Sequence, residues 1–155
     1  MLWRIAVDTP IVSADDLSGK GAELSGGRWN APGTALVYAS TTRALACLET
    51  LVHLARVPLP LNRYLVEIQV PRDLWAAAAT FDAAQFPGWD VQPAGKVSRD
   101  WGNAWARDAR SALAQVPSAV VAEELNVLIN PLHPALKRVR ATKVRRWLYD
   151  GRLVA

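Results

Sequence analysis

The sequence predicts an α+β fold, a compact single domain over residues 1–155 in which helices flank a mixed or antiparallel sheet. Segments typical of strands outnumber those with helical periodicity, and no strand–helix–strand alternation dominates. Of the 155 residues, 51% are hydrophobic and 21% are charged, which is the balance of a globular protein. No internal repeat, low-complexity tract or linker suggests a domain boundary.

The first strands are predicted from short apolar segments. Residues 2–7, LWRIAV, predict the first strand. Residues 8–34 are dense in Gly, Pro, Ser and Asp and are predicted to form a loop-rich segment. Residues 35–40, ALVYAS, are almost wholly apolar and predict a second, buried strand.

A helix is predicted to follow, because residues 40–42 are Ser-Thr-Thr and offer N-caps. We expect it to run to about Arg56 and to end before Pro58. Its apolar stripe recurs every three or four residues, at Leu45, Leu48, Val52 and Ala55.

The sequence predicts the next strand clearly but leaves the secondary structure of the middle of the chain ambiguous. Residues 62–70, NRYLVEIQV, alternate in polarity and predict a half-exposed strand. Residues 72–95 are ambiguous, since their alanine run favours a helix whereas PGWDVQP must form a loop.

The C-terminal half predicts one more helix and further strands. The helix is expected from Ser98, as its cap, to about Gln115, with an apolar face at spacings of four: Trp101, Trp105, Ala109 and Leu113. Residues 117–130 continue as strand material, and PLHP after them forces a turn. Residues 137–141, KRVRA, predict a strand, and the Asp-Gly pair within RRWLYDGRLV predicts a hairpin.

The formal net charge of +4 is concentrated in residues 137–147, KRVRATKVRRW, where basic and apolar residues alternate. This pattern is typical of an edge strand protected by charge. It also suits a surface for an anionic partner, whether protein, nucleotide or nucleic acid. A non-catalytic binding module that uses this basic C-terminal region is therefore an alternative function.

Composition also limits location and chemistry. We expect a cytoplasmic protein, because no apolar run reaches membrane-spanning length, Arg4 and Asp8 interrupt the N-terminal apolar segment, and the single cysteine cannot form an internal disulfide. No metal is expected, because neither His53 nor His133 has a partner at metal-ligand spacing. Cys47 is interpreted as a small buried residue rather than a nucleophile.

Three residues remain as candidates for a site: Arg28, Tyr38 and Glu49. They lie on the loop SGGRWNAPG, near the end of the next strand, and on the helix that the strand leads into. A loop–strand–helix unit can fold back so that all three side chains face one cleft. Glu49 borders the apolar stripe, so it is either a boundary residue in water or a charge placed at a pocket.

The run GGRWNAPGTALVYASTTRALACLETLVH, followed by PSAVVAEELNVLINPLHP, resembles the RES domain family over nearly the whole chain. The resemblance implies a fold like that of the diphtheria-toxin type of ADP-ribosyltransferase. It also implies a toxin that consumes NAD⁺ by hydrolysis, phosphorolysis or transfer of ADP-ribose to a protein. The implied partner is a cognate helix-turn-helix antitoxin, through which the toxin oligomerises; direct binding to nucleic acid or membrane is not expected.

The resemblance assigns roles to Arg28, Tyr38, Glu49 and Ser118. Glu49 would hold a ribose hydroxyl and stabilise the positive charge that develops when the nicotinamide–ribose bond breaks. Arg28 would bind the pyrophosphate of NAD⁺ through its forked donors. Tyr38 would offer an aromatic face to the nicotinamide ring. Ser118 would either contact the ligand or orient Glu49.

Other residues are open to two interpretations. Gly26 and Gly27 would let the loop close over NAD⁺, with Gly27 lining the site. Trp29 is a loop anchor or a ligand contact, and Arg4 is part of the scaffold or approaches the phosphates. We expect both polar residues of the NVLIN segment, Asn126 and Asn130, to hold the turn that follows.

Overall fold

A computed structural model describes residues 1–54 and 59–153 and contains one seven-stranded sheet. The strands are β1 (Leu2–Val7), β2 (Val37–Ser40), β3 (Arg63–Gln69), β4 (Ala79–Thr80), β5 (Leu113–Pro117), β6 (Leu125–Ile129) and β7 (Arg140–Trp147). The helices are α1 (Lys20–Ser25), α2 (Arg43–Leu51), α3 (Arg72–Ala76) and α4 (Lys96–Asp108). The strand order is β4-β5-β6-β2-β1-β3-β7, antiparallel except for the parallel β4–β5 pair, so the predicted α+β class with a mixed sheet is confirmed.

The two faces of the sheet are covered by different parts of the chain. Side chains alternate along each strand, so Leu2, Val66 and Ile129 share one face, which packs beneath the 8–19 loop through Ala14 and Leu17. The opposite face, here called the helix face, lies against α2 and α4.

The helix face carries two separate apolar clusters. One joins α2 to β1 and β3 through Ala46, Ile5 and Leu65. The other joins α4 to β5 and β6 and contains most of the tryptophan and phenylalanine side chains. Because β2 lies between these clusters in the strand order and pairs with β6, the polar pair Ser40 and Asn126 on this face lies between the two clusters.

The predicted extent of α4 is wrong at both ends. Gly95 occupies the N-cap position, and Ser98 is fully buried within the helix. The helix ends at Asp108 because Ala109 adopts a left-handed conformation with φ 47°. Leu113 lies in β5 with its side chain fully buried, so its spacing from the tryptophans does not reflect one helix.

The cap of α2 is confirmed, but its predicted apolar stripe is wrong at Leu48 and Val52. Thr42 accepts a hydrogen bond from the backbone N–H of Leu45. The helix buries Leu45 and the two residues after it, whereas Leu48 is 38% exposed and Val52 is 58% exposed. α2 ends at Leu51, and the predicted extension through Ala55 and Arg56 to Pro58 lies outside the described residues.

Elsewhere the strands near the termini match the sequence best. The first three strands lie where predicted, and the predicted charged edge strand is confirmed as β7. Its predicted start at residue 137 is wrong, because Pro134–Arg138 form a 3₁₀ helix and β7 begins at Arg140. Lys143 on it pairs with Asp8 at 3.1 Å. Residues 8–34, however, contain α1, and residues 118–124 turn rather than extend. The Asp-Gly pair makes no hairpin within the described residues, because Gly151–Leu153 form a 3₁₀ turn.

Candidate active site

Glu49 is held at one of its two carboxylate oxygens. It projects from α2 and is partly buried. Its Oε1 accepts a hydrogen bond from Ser118 Oγ at 2.7 Å and another from Asn126 Nδ2. Its Oε2 has no hydrogen bond from the residues that the structure describes, so this oxygen remains available to a ligand.

Ser118 orients Glu49 in this structure. Its side chain is 1% exposed, and its Oγ accepts the backbone N–H groups of Val120 and Val121, both at 3.0 Å. Because the hydroxyl also donates a hydrogen bond to Glu49, its one donor and both acceptor positions are in use. The same hydroxyl therefore fixes the turn after β5 and the carboxylate on α2.

Asn126 is a site residue that the sequence reasoning missed. It lies on β6 opposite Ser40 of β2, and Ser40 Oγ donates to its Oδ1 at 2.7 Å. The prediction that Asn126 holds the following turn is wrong, because its amide contacts Glu49 instead. The prediction is confirmed for Asn130, whose Oδ1 accepts the N–H of Leu132 in the turn. The detectable signal was a single polar residue within the otherwise apolar strand β6.

The Arg28 guanidinium is anchored through a single nitrogen. Nη1 donates to the carbonyl oxygens of Trp89 and Val91, at 2.9 and 3.2 Å. No described residue accepts a hydrogen bond from Nε or Nη2. These two nitrogens form one edge of the planar group, which is the paired-donor arrangement that matches a phosphate or carboxylate.

Tyr38 holds the loop that carries Arg28. Its hydroxyl accepts the backbone N–H of Trp29 at 3.0 Å and donates to Asn30 Oδ1 at 2.6 Å. Burial raises the pKa of this hydroxyl, so it stays protonated and can donate. Gly27 permits the close approach, because a Cβ there would lie 2.7 Å from the Tyr38 hydroxyl oxygen.

Trp29 lies beneath the loop rather than at its surface. The residue is only 2% exposed. Its ring stacks on Trp89 with the centroids 5.8 Å apart, and it lies edge-on to Phe81 and Trp101 with centroid distances of 4.7 and 5.7 Å. The indole thus anchors the loop in the aromatic cluster under α4. Since Trp89 also supplies a carbonyl to Arg28, this stacking helps to fix the guanidinium.

The four predicted residues lie in two separate groups of hydrogen bonds. Ser118 contacts Glu49 directly, and Tyr38 supports the loop of Arg28. Both groups include a residue of β2, where alternation puts Tyr38 and Ser40 on the same face of the strand. Arg28 and Glu49 are not joined by any hydrogen bond in the described parts of the chain.

Several other candidates lie outside these two groups. Arg4 projects from the opposite face of the sheet, where its Nη1 donates to the Asp16 carbonyl at 3.0 Å, so it belongs to the scaffold. Cys47 is buried, and its pKa is raised by that burial. Residues 1–54 and 59–153 hold no cluster of three metal-ligating side chains and no helix long and apolar enough to span a membrane.

The chain belongs to the RES domain family, whose model matches residues 1–150. The chain is similar to the "Prs ADP-ribosylating toxin" of Sphingobium sp. (strain YBL2), with 56% identity over 153 residues, covering 98% of this chain and 95% of the relative. It is also similar to "Toxin Res" of Pseudomonas putida KT2440, 36% identical over 155 residues, covering 99% of each chain. "Toxin Res" of Yersinia enterocolitica is 33% identical over 155 residues, again covering 99% of each.

Proposed function

We propose that this protein is a toxin that cleaves NAD⁺ at the nicotinamide–ribose bond and transfers the ADP-ribose to a protein. The observation that carries the proposal is the carboxylate of Glu49, which is fixed at Oε1 and open at Oε2. In the reaction the C–N bond breaks, its electron pair leaves with neutral nicotinamide, and positive charge develops on the ribose. The free oxygen of Glu49 accepts a hydrogen bond from a ribose hydroxyl, and the carboxylate stabilises that charge.

Arg28 is proposed to bind the diphosphate of NAD⁺. Its Nη1 is already held by the two loop carbonyls, so the Nε–Nη2 edge can bind phosphate oxygens with little further ordering. The residues around it are consistent with this role, because Gly27 leaves the backbone beside the guanidinium uncovered. NAD⁺ is the substrate in this proposal, and no metal takes part.

Tyr38 is proposed to act mainly through the loop, since its hydroxyl ties Trp29 to Asn30. Its ring remains a candidate surface for the nicotinamide, with Gly27 and Arg28 lining the same side of the cleft. Trp29 then contributes by supporting the loop from below and not by stacking on the ligand.

The acceptor of ADP-ribose is proposed to be a protein, on the strength of the relative named "Prs ADP-ribosylating toxin". At 56% identity over nearly the whole of both chains, the same acceptor, Prs, is the first to test. Hydrolysis and phosphorolysis share the first step of the reaction and differ only in whether water or phosphate takes the place of the protein nucleophile.

The relatives named toxins also support a partner that restrains the activity. We propose a cognate helix-turn-helix antitoxin that blocks the cleft near Arg28, oligomerises the toxin, and is present with it in the cytoplasm. The positive net charge of +4 would speed association with an acidic partner.

The proposal is tested with NAD⁺ labelled in its adenylate half. Purified protein is incubated with the labelled NAD⁺, with and without Prs, and free nicotinamide and protein-bound label are both measured. We expect nicotinamide release in both reactions and transfer of label to Prs. Release without labelling would restrict the activity to hydrolysis or phosphorolysis, and absence of release would refute the proposal.

A further inference from the structure

We propose that Asn126, oriented by Ser40, is a positioning residue that makes Glu49 present Oε2 to the substrate. The inference rests on the proposed function, because it concerns the carboxylate assigned to NAD⁺ cleavage. It adds two residues, neither of which was identified as functional from the sequence.

The first step is that Ser40 and the carboxylate of Glu49 together set the direction of the Asn126 amide. The two residues are paired across β2 and β6, and Ser40, at 3% exposure, has little freedom to move. Its hydroxyl donates to Asn126 Oδ1 at 2.7 Å, so the amide nitrogen must lie on the other side, facing α2. A reversed amide would place two acceptors, Oδ1 and the carboxylate of Glu49, against each other.

The second step is that both donors converge on one oxygen. Glu49 Oε1 accepts hydrogen bonds from Asn126 Nδ2 on strand β6 and from Ser118 Oγ in the turn after β5. Two donors from different elements fix the rotation of the carboxylate as well as its position, which one donor cannot do. Oε2 accepts no hydrogen bond from the described residues, so it is the carboxylate oxygen left to a substrate.

The third step explains why an amide serves here. An aspartate at position 126 would have nearly the same shape but would set a second negative charge against Glu49. A hydrogen bond to a charged group is roughly twice as strong as one between neutral groups, so loss of the Asn126 donor should be visible in turnover. Since Asn126 acts through Glu49, the loss should fall on kcat more than on KM for NAD⁺.

The test compares Asn126→Asp with Asn130→Asp as a matched control. Asn130 is on the same segment and fully buried, and its Nδ2 donates to the Ala106 carbonyl at 2.8 Å, away from Glu49. We expect Asn126→Asp to lower kcat for nicotinamide release by about ten- to a hundredfold, the scale of a charge-assisted hydrogen bond. KM for NAD⁺ should stay within about threefold. Asn130→Asp should lower the melting temperature while kcat of the folded protein stays within about twofold.

Ser40 supplies a second variant in case Asn126→Asp does not fold. Ser40→Ala removes only the bond that orients the amide, and we expect kcat to fall about three- to tenfold, with recovery in Ser40→Thr, which restores the hydroxyl. Normal kcat in both Asn126→Asp and Ser40→Ala, with wild-type cleavage intact, would overturn this inference alone. Absence of nicotinamide release by wild-type protein would overturn the proposed function and this inference with it.

Discussion

Gly102 gives a prediction whose sign follows from the contact between α4 and the Arg28 loop. A Cβ at this helical position would lie 1.9 Å from the carbonyl oxygen of Trp29 and 2.8 Å from its carbonyl carbon. The obstacle is backbone, and that backbone is tied on both sides, by the Tyr38 hydroxyl and by Asn103, which accepts the Ala31 N–H at 3.0 Å. Moving the loop aside would therefore break these hydrogen bonds and cost free energy of folding.

The magnitude follows from two opposing effects of Gly102→Ala. Alanine is better than glycine in a helix by about 1 kcal/mol. Overpacking a closely packed contact costs about 1–3 kcal/mol, and a clash with tied backbone lies at the upper end. We expect a net loss of about 2 kcal/mol, which in a domain of this size lowers the melting temperature by roughly 4–8 °C.

Gly21→Ala is the matched control for this prediction. Gly21 is also helical, in α1, but a Cβ there meets nothing within 4 Å. The variant should gain up to about 1 kcal/mol from helix propensity alone. Both variants are assayed by thermal and urea unfolding. If Gly102→Ala is stabilised as much as Gly21→Ala, the close packing of α4 on the loop is refuted.

Three further perturbations address the site and its scaffold. Arg28→Lys should weaken NAD⁺ binding about tenfold or more, since an ammonium cannot hold the loop carbonyls and a phosphate with paired donors; calorimetry measures it, and unchanged affinity would exclude Arg28 from the diphosphate site. Tyr38→Phe leaves the Trp29 N–H and Asn30 Oδ1 without their partner, so we expect a loss of about 1–3 kcal/mol in unfolding free energy; no loss would mean that the loop does not depend on this hydroxyl. The pKa of Asp8 is lowered from 3.8 by the Ala14 backbone N–H and by Lys143. The ionised carboxylate therefore stabilises the folded protein at pH values above 3.8, and this contribution is lost as the pH falls through the lower pKa of the folded state. Asp8→Asn should make stability less dependent on pH in this acid range, and an unchanged acid profile by circular dichroism would contradict that.

Local pattern was sufficient where the environment of a segment is simple. The first three strands follow from apolar runs and alternation, and the charged edge strand follows from the alternation of basic and apolar residues, because each signal is contained within the segment itself. The N-cap of α2 was likewise recognisable from its threonine.

Tertiary packing decided the features that were missed. Leu113 continues the spacing of the tryptophans on α4, yet the helix ends before Ala109. The chain then forms β5, in which Leu113 is fully buried. Leu48 and Val52 look like core residues, but α2 is turned so that Leu45 and its neighbours face the sheet. Neither outcome is encoded in the periodicity of the segment.

The candidate site was predictable in part, from spacing for three residues and from the resemblance for Ser118 and for the role of each. Spacing brought Arg28, Tyr38 and Glu49 together as candidates, but it left Glu49 open between a boundary residue and a pocket charge. The partners of Glu49 come from positions 118 and 126, about 70 residues or more further along the chain. Asn126 in particular depends on the pairing of β2 with β6, which the sequence does not reveal.

The most direct test of the central claim is the turnover of Glu49→Gln, measured beside NAD⁺ binding and thermal melting of the same variant. Glutamine keeps the size of the side chain but removes the charge that would stabilise the ribosyl cation. If Glu49 acts in the transition state, nicotinamide release should fall by about a hundredfold or more, while NAD⁺ affinity and the melting temperature stay near those of the wild type. Near-normal turnover, or loss of activity only through unfolding, would contradict the assignment of Glu49 as the catalytic carboxylate.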